Sequence, residues 1–442
     1  MNLHKYIFTV GFFICTTLLF SCTSEEAGDA STNGDLVSSE DGDRHPDDQN
    51  AEGDSENETD DDEPTCGDAS FGEPLAFEET VVFLGETDGY PVFRIPSIIT
   101  TPSGVLLAFA EARPTIEDPG SGKIDLVMKR SNDCGRTWSE LRVLAENGSG
   151  DAHNPVSLTA PDSTGETVAW LFYNMRPASE GGEFDLPPGL GNDSASIWFI
   201  TSADDGSTWS EPRNITIEVK NPDWAIASMG PGIGIVTRRG TDAAPPGRMV
   251  IPGWQTWGIE GELNGSFVIL SDDRGGSWCL GGLPEPLTNE SQVVELTDGR
   301  LLLDARQNGS TESPTRFLYT SEDGGESWFE PSAGIEMTKV MSGIIRWSAI
   351  RDGEERDVLL HSGPSAGGRF DLRVWVSYDE ALSWVHETII REGFVQYSVL
   401  TVLPDKSIGV LYETAELDDP TFPLSIRFSR FNLTYMTDNE TK

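Results

Sequence analysis

One eight-residue pattern, repeated five times, restricts this chain more than any other feature. It reads Ser131-Asn-Asp133-Cys-Gly135-Arg-Thr137-Trp138, then Ser202-Ala-Asp204-Asp-Gly206-Ser-Thr208-Trp209. Next come Ser271-Asp-Asp273-Arg-Gly275-Gly-Ser277-Trp278 and Ser321-Glu-Asp323-Gly-Gly325-Glu-Ser327-Trp328. The last is Ser377-Tyr-Asp379-Glu-Ala381-Leu-Ser383-Trp384. Each copy follows a short strand-like run, such as Ile124–Met128, Phe267–Leu270 or Leu372–Val376. Asp can bond turn amides, Gly relaxes the backbone and Trp packs beneath, so each copy reads as a hairpin turn.

Successive copies begin 71, 69, 50 and 56 residues apart, a spacing that suits propeller blades better than solenoid units. This is the Asp-box signature. Residues 70–436 divide into about 60 per blade for six blades, so the expected fold is all-β, a six-bladed β-propeller with Asp-box turns. One blade must then lack a box. The final alternating run, Leu424–Phe428, is expected to pair with Val81–Phe83 and close the ring, because an open ring leaves strand edges unpaired. Ala381 replaces Gly in the fifth copy, which predicts a distorted turn there. Forty-six Gly, 27 Pro and 12 Trp fit this turn-rich, aromatic reading. The boxes argue fold and not chemistry.

The first 22 residues read as a leader: Lys5 is followed by an apolar run from Tyr6 to Phe20, short for a bilayer crossing but suited to a signal core. The run ends Leu19-Phe20-Ser21-Cys22, which resembles a bacterial lipoprotein cleavage box with Cys22 as the lipid anchor; ordinary secretion is the alternative. Residues 23–66 form an acidic tether: 23–65 hold 17 Asp/Glu, one Arg and no aromatic residue, too little apolar surface to offset ordering. Residues 67–442 are the propeller domain. The expected location is extracytoplasmic and membrane-anchored, in the periplasm, outer membrane or cell surface, with membrane contact through the lipid only. The chain carries a net charge of −44, which argues against nucleic acid as a partner. Five His without HExxH spacing and five Cys without CxxC argue against a zinc or iron–sulfur site.

Tyr90-Pro-Val-Phe93-Arg94-Ile95-Pro96, the segment Glu111-Ala-Arg113 and the Asp boxes together resemble the exo-sialidase (neuraminidase) family over nearly all of residues 75–436. The resemblance implies that Arg94, Arg306 in Leu301-Leu-Leu-Asp304-Ala305-Arg306, and Arg369 in Gly368-Arg369-Phe-Asp-Leu form a triad that binds the sialic acid carboxylate. Planar, permanently charged guanidinium groups make bidentate bonds to a carboxylate. Such a cluster overrides, at short range, the repulsion from −29 charges on residues 66–442. Asn289-Glu290-Ser-Gln-Val-Val matches the segment of the catalytic Glu, and Phe394-Val-Gln-Tyr397-Ser-Val-Leu that of the nucleophilic Tyr. A sialyl anomeric carbon bears its own carboxylate, so a phenol deprotonated by Glu is a better nucleophile than an anionic carboxylate. In Arg113-Pro-Thr-Ile-Glu117-Asp118-Pro-Gly, Asp118 matches the acid/base, with Glu117 its rival. Arg113 and Asn154, in His153-Asn154-Pro155, match the pocket around the sugar's O4. Ser228-Met-Gly-Pro-Gly232 resembles a loop near the cleft, with no role assigned.

The implied activity is retaining exo-α-sialidase hydrolysis of terminal sialic acids from glycoproteins, glycolipids and oligosaccharides, through a covalent sialyl-tyrosine intermediate. A trans-sialidase or a non-catalytic sialoglycan-binding propeller are the alternatives. The chemistry implies no metal and no organic cofactor, and sialylated glycans are the expected partners.

Overall fold

Every Asp box closes the hairpin between the third and fourth strands of one blade. The first blade comprises Val92–Thr100, Leu106–Arg113, Asp125–Ser131 and Arg142–Ala145, with its box at the end of the third strand. The second runs Asp151–Pro161, Thr167–Arg176, Ser196–Ser202 and Arg213–Asn214. The third is Ala227–Met229, Met249–Trp257, Leu263–Ser271 and Cys279–Leu280; the fourth is Thr288–Glu295, Leu301–Gln307, Thr315–Ser321 and Ser332–Glu336. The computed structural model describes residues 75–116, 123–178, 186–257, 263–284, 287–308, 315–415 and 424–439, all within the compact unit Asp62–Lys442. The leader 1–22 with Cys22, the acidic segment 23–66, and Asp118 with its rival Glu117 lie outside the described residues.

Blades five and six share one long strand, Val385–Val402. Its first part pairs with Phe370–Ser377, behind which lie Val358–Pro364 and Gly343–Ser348. From Val395 onward it pairs instead with Ile408–Ala415, then Leu424–Phe431. The N-terminal strand Glu78–Phe83 supplies the last edge, with Thr80 opposite Phe428 and Val81 opposite Arg427. The ring therefore closes as expected, and it has six blades. The sixth blade has no box for a topological reason: its outer strand comes from the other end of the chain, so no hairpin follows Leu424–Phe431.

Box geometry is nearly constant. The Ser hydroxyl donates to the Asp Oδ1 at 2.7–2.9 Å in all five copies. The same Oδ1 accepts the amide four residues on from the Asp at 2.7–2.9 Å. The fifth turn is not distorted: Ala381 N donates to Ser377 Oγ at 2.9 Å, as its Gly counterparts do. Ala381 adopts φ +65°, a left-handed conformation that costs Ala about 1–2 kcal/mol, and its buried methyl packs among Val294, Leu296 and Leu302 of the fourth blade. The first and third boxes lack room for that methyl. A Cβ at Gly135 would collide with the Phe428 ring, and one at Gly275 with Trp170.

The box tryptophans also face the preceding blade. Trp138 meets Phe428 edge-on at 5.7 Å, Trp209 meets Phe109 at 5.9 Å and Trp278 meets Phe172 at 5.0 Å. Burial along the seams is dense, with Phe83, Phe93, Phe172 and Phe267 fully enclosed. At the centre, Gly232–Ile233 runs parallel to Val156 and Ser157. Ser97 Oγ donates to Gly232 O at 2.6 Å and Gln292 Nε2 to Pro231 O at 2.7 Å. The Ser228–Gly232 segment thus fills the ring axis, where Gly232 is required: φ is +120° and a Cβ would collide with the Gln292 amide.

Candidate active site

Innermost strands of a propeller all begin at one mouth, so residues remote in sequence converge there. A cavity of about 440 Å³ occupies that mouth, bordered by Arg113, Asn154, Glu290, Arg306 and Tyr397 among others. Tyr397 comes from the sixth blade and is 6% exposed. Arg306 Nη1 donates to its hydroxyl at 3.0 Å and to Glu290 Oε2 at 2.6 Å. The register places Arg306 and Glu290 on paired strands of the fourth blade, which fixes their side-by-side position.

Arg94 comes from the other side, its guanidinium 5.4 Å from the centroid of the Tyr397 ring. It donates to Gln396 Oε1 at 3.4 Å, and Arg369 Nη1 donates to the same oxygen. Three guanidinium groups from the first, fourth and fifth blades therefore gather around the dipeptide Gln396-Tyr397. Arg306 pairs with Glu290 and Arg94 with Glu413 at 3.4 Å, so three guanidinium groups here face two carboxylates. Burial drives the Tyr397 hydroxyl well above its ordinary range; neighbouring Glu290 pushes it the same way, while Arg306 and Arg94 oppose this. The phenol is neutral at rest. Burial disfavours charge on Arg306, yet Tyr397 and Glu290 hold its guanidinium even more firmly protonated than usual.

Two residues beneath the site were not assigned roles from sequence. Glu413, fully buried, accepts Arg94 Nε at 3.4 Å and the Ile95 amide at 2.5 Å. Ile95, whose amide Glu413 accepts, is held at φ +59°, unfavourable for a β-branched residue. Gln396 ties Arg94 to Arg369. The available signal was a lone Glu in the fully buried run Ile408–Ala415: an acid in such a strand must have a cation. Asp118, assigned the acid/base role, falls outside the described residues.

Arg113 and Asn154 do lie on one wall. Arg113 Nε donates to Glu111 Oε2 at 2.7 Å, and the Asn154 amide donates to Glu111 Oε1 at 2.7 Å. Glu111 thereby fixes both. Its burial raises its carboxyl above the usual range, against the lowering effect of Arg113. The Asn154 side chain donates to Ser228 Oγ at 2.7 Å. Farther round, Arg176 pairs with Asp151, and His153, Ala195, Ile226 and Trp254 are among the other lining residues, as are Asn264, Asn289 and Asn308.

The chain is similar to known proteins over most of its length. Residues 104–410 match the model of the BNR repeat-like domain. The chain is 31% identical over 382 residues to a sialidase of Micromonospora viridifaciens, covering 83% of this chain and 55% of that protein. It is 29% identical to a sialidase of Bacteroides fragilis, covering 74% of this chain and 61% of that one. The chain thus spans 55–61% of the length of these relatives. Among solved structures, the Hadza microbial sialidase Hz136 superimposes with a TM-score of 0.71 at 27% identity, over 80% of this chain and 68% of that one. A family match that runs through all five boxes and the strands that carry Glu290, Arg306 and Tyr397 leaves one conclusion: the chain belongs to the bacterial exo-α-sialidase family of BNR-repeat propellers.

Proposed function

We propose that the protein is a retaining exo-α-sialidase that removes terminal sialic acids from glycoconjugates. The observation that carries this reading is the gathering of Arg94, Arg306 and Arg369 around Gln396-Tyr397, with Glu290 beside the phenol. The three guanidinium groups take the carboxylate of the sugar, which orients the anomeric carbon over the Tyr397 oxygen. The phenol is too weak an acid to ionise alone, since burial and Glu290 hold its proton. Glu290 must accept that proton as the oxygen attacks, and the negative charge that develops on the oxygen is stabilised by Arg306 and Arg94. The anomeric C–O bond breaks as Asp118 donates a proton to the leaving oxygen. Asp118 then takes a proton from water, whose oxygen bonds to the anomeric carbon as its bond to the Tyr397 oxygen breaks; that oxygen regains its proton from Glu290, and the sugar leaves with net retention. This chemistry is balanced without any redox partner.

Outside the described residues, the leader 1–22, Cys22 and the acidic segment 23–66 support a lipid-anchored, extracytoplasmic placement in which the tether spaces the ring from the membrane. The deciding assay is release of free sialic acid from a chromogenic sialoside, with and without excess lactose. Release unaffected by lactose is expected. Sialyl-lactose formation would favour a transferase, and absence of any release alongside binding of a 2,3-dehydro sialic acid would favour a binding module.

A further inference from the structure

Of the three gathered guanidinium groups, that of Arg369 alone stands in a turn. Arg94 and Arg306 lie inside Val92–Thr100 and Leu301–Gln307, whereas Arg369 lies between Val358–Pro364 and Phe370–Ser377. A strand residue takes its direction from the ladder on either side; a turn residue needs another source. The Ser365 amide and hydroxyl both donate to Phe370 O at 3.0 Å, which closes the turn without touching the peptide that joins Gly368 to Arg369. Gly368 adopts φ +147°, a region that Gly alone visits freely, so the residue before Arg369 adds no stiffness.

Two bonds from outside the turn supply that direction. The Thr338 hydroxyl donates to Gly368 O at 2.7 Å and to Ser365 O at 2.8 Å, its single hydrogen lying between the two carbonyls. The Val395 amide donates to Arg369 O at 3.0 Å. A peptide unit is planar, so these bonds hold the planes on both sides of the Arg369 Cα, and with them the direction in which its side chain leaves the backbone. Val395 belongs to the strand that carries Tyr397, so one plane is referred to the phenol. Thr338 refers the other to the fourth blade. The Val340 amide donates to Thr338 O at 2.8 Å, and Val340 O accepts from Arg316 Nη1 at 2.7 Å. Arg316 Nε donates to Asp304 Oδ1 at 2.8 Å, and Asp304 stands two residues before Arg306 on one strand. Asp304 and Arg316 are both buried. A buried ion pair is weak ground for stability alone; this one anchors the connector that reaches the turn.

We infer that Thr338 is a positioning residue for Arg369: its hydroxyl sets the direction from which that guanidinium meets a carboxylate, and the Asp304–Arg316 pair ties this setting to Arg306. The inference rests on the proposed reaction, in which Arg369 takes the carboxylate of the sugar. Thr338 acts through the backbone of Arg369 and touches no part of the sugar. It governs how tightly the anion is held and leaves proton transfer between Tyr397 and Glu290 alone.

The test uses the full chain, a chromogenic sialoside and a 2,3-dehydro sialic acid. Thr338→Val keeps the shape and removes the hydroxyl. It should raise the Kd of the dehydro sugar, read by calorimetry, about five-fold, within the worth of one neutral hydrogen bond. KM should rise alike, with kcat within about two-fold of the parent. Thr338→Ser should bring Kd and KM back to within about two-fold of the parent. In an Arg369→Ala background, Thr338→Val should change Kd by less than about two-fold, because a residue that acts through another loses its effect with it. A Kd change below two-fold in the single variant overturns the inference. So does a loss of two-fold or more that persists without the Arg369 guanidinium, or a loss that Ser does not restore. If Thr338→Val does not fold, Thr338→Ala takes its place under the same criteria. If the parent binds the dehydro sugar but releases no sialic acid, the proposed reaction fails by itself and the Kd comparisons still decide; no binding by the parent overturns the inference.

Discussion

The Arg306 guanidinium donates one N–H to the Tyr397 hydroxyl at 3.0 Å. That contact joins a cation of the fourth blade to a phenol of the sixth, and Glu290 accepts from the same nitrogen. The phenol, the Glu290 carboxylate and one of the three gathered guanidinium groups are thus a single hydrogen-bonded unit. Removing the hydroxyl should separate chemistry from binding. Tyr397→Phe is expected to lower turnover of an unactivated sialoside at least a thousand-fold, within the range that nucleophilic and acid–base groups supply, while affinity for a 2,3-dehydro sialic acid changes by less than ten-fold. Turnover within ten-fold of the parent protein, measured on the same substrate, would show that Tyr397 is not the nucleophile.

In the proposed reaction Glu413 acts on the sugar through Arg94, which it holds. Glu413→Gln keeps the shape and an acceptor but removes the charge facing a buried guanidinium. KM should rise about ten-fold with a smaller change in kcat, because the clamp loses orientation before the nucleophile does. Glu413→Ala should also destabilise the fold by about 3–5 kcal/mol, the cost of stranding a buried charge. An unchanged KM in the Gln variant would reduce Glu413 to a packing residue.

The fifth box and the first should respond in opposite ways to exchange of Gly and Ala. Gly135→Ala places a methyl against the Phe428 ring at φ +85°, so left-handed strain and overpacking together should cost about 2–4 kcal/mol. Ala381→Gly relieves strain but removes a buried methyl and loosens the unfolded chain, so the net should stay within about 1 kcal/mol. Urea midpoints at constant m decide it. Equal losses at the two positions would refute the explanation given for the fifth turn.

Acid should loosen the ring from its turns. The carboxyl of Asp204 is brought down to about 2, chiefly by the Thr208 hydroxyl and amide. Asp133, Asp273, Asp323 and Asp379 are also lowered: burial pushes each upward, and bonds from the box Ser, Thr and backbone amides more than offset it. A group lowered in the folded state adds stability that is complete above its unfolded value near 4 and is lost as pH falls through the folded value. Thermal midpoints should hold between about pH 5 and 7 and drop below about pH 4. Asp204→Asn should flatten part of that drop, and a slope identical to the parent's would exclude the boxes as its source.

Much of the fold was legible because the boxes are local. Asp, Ser and Gly satisfy one another within eight residues, so their meaning survives without tertiary context. Arg94, Glu290, Arg306 and Tyr397 stood in motifs of their own. Gln396, Glu413 and Trp254 did not, because each draws its significance from a partner more than 100 residues away or from a cavity no segment encloses alone.

The chain's own order of residues determined six blades, five turns and the strands that carry the charged groups, since hairpin chemistry and alternation act over a few positions. Closure of the ring decided the rest. Only when Glu78–Phe83 pairs with Leu424–Phe431 do the innermost strands share one mouth, and only there can three like charges be held close. Their mutual repulsion must be opposed by Glu413, Glu290 and dense packing between blades, forces that exist nowhere along the extended chain.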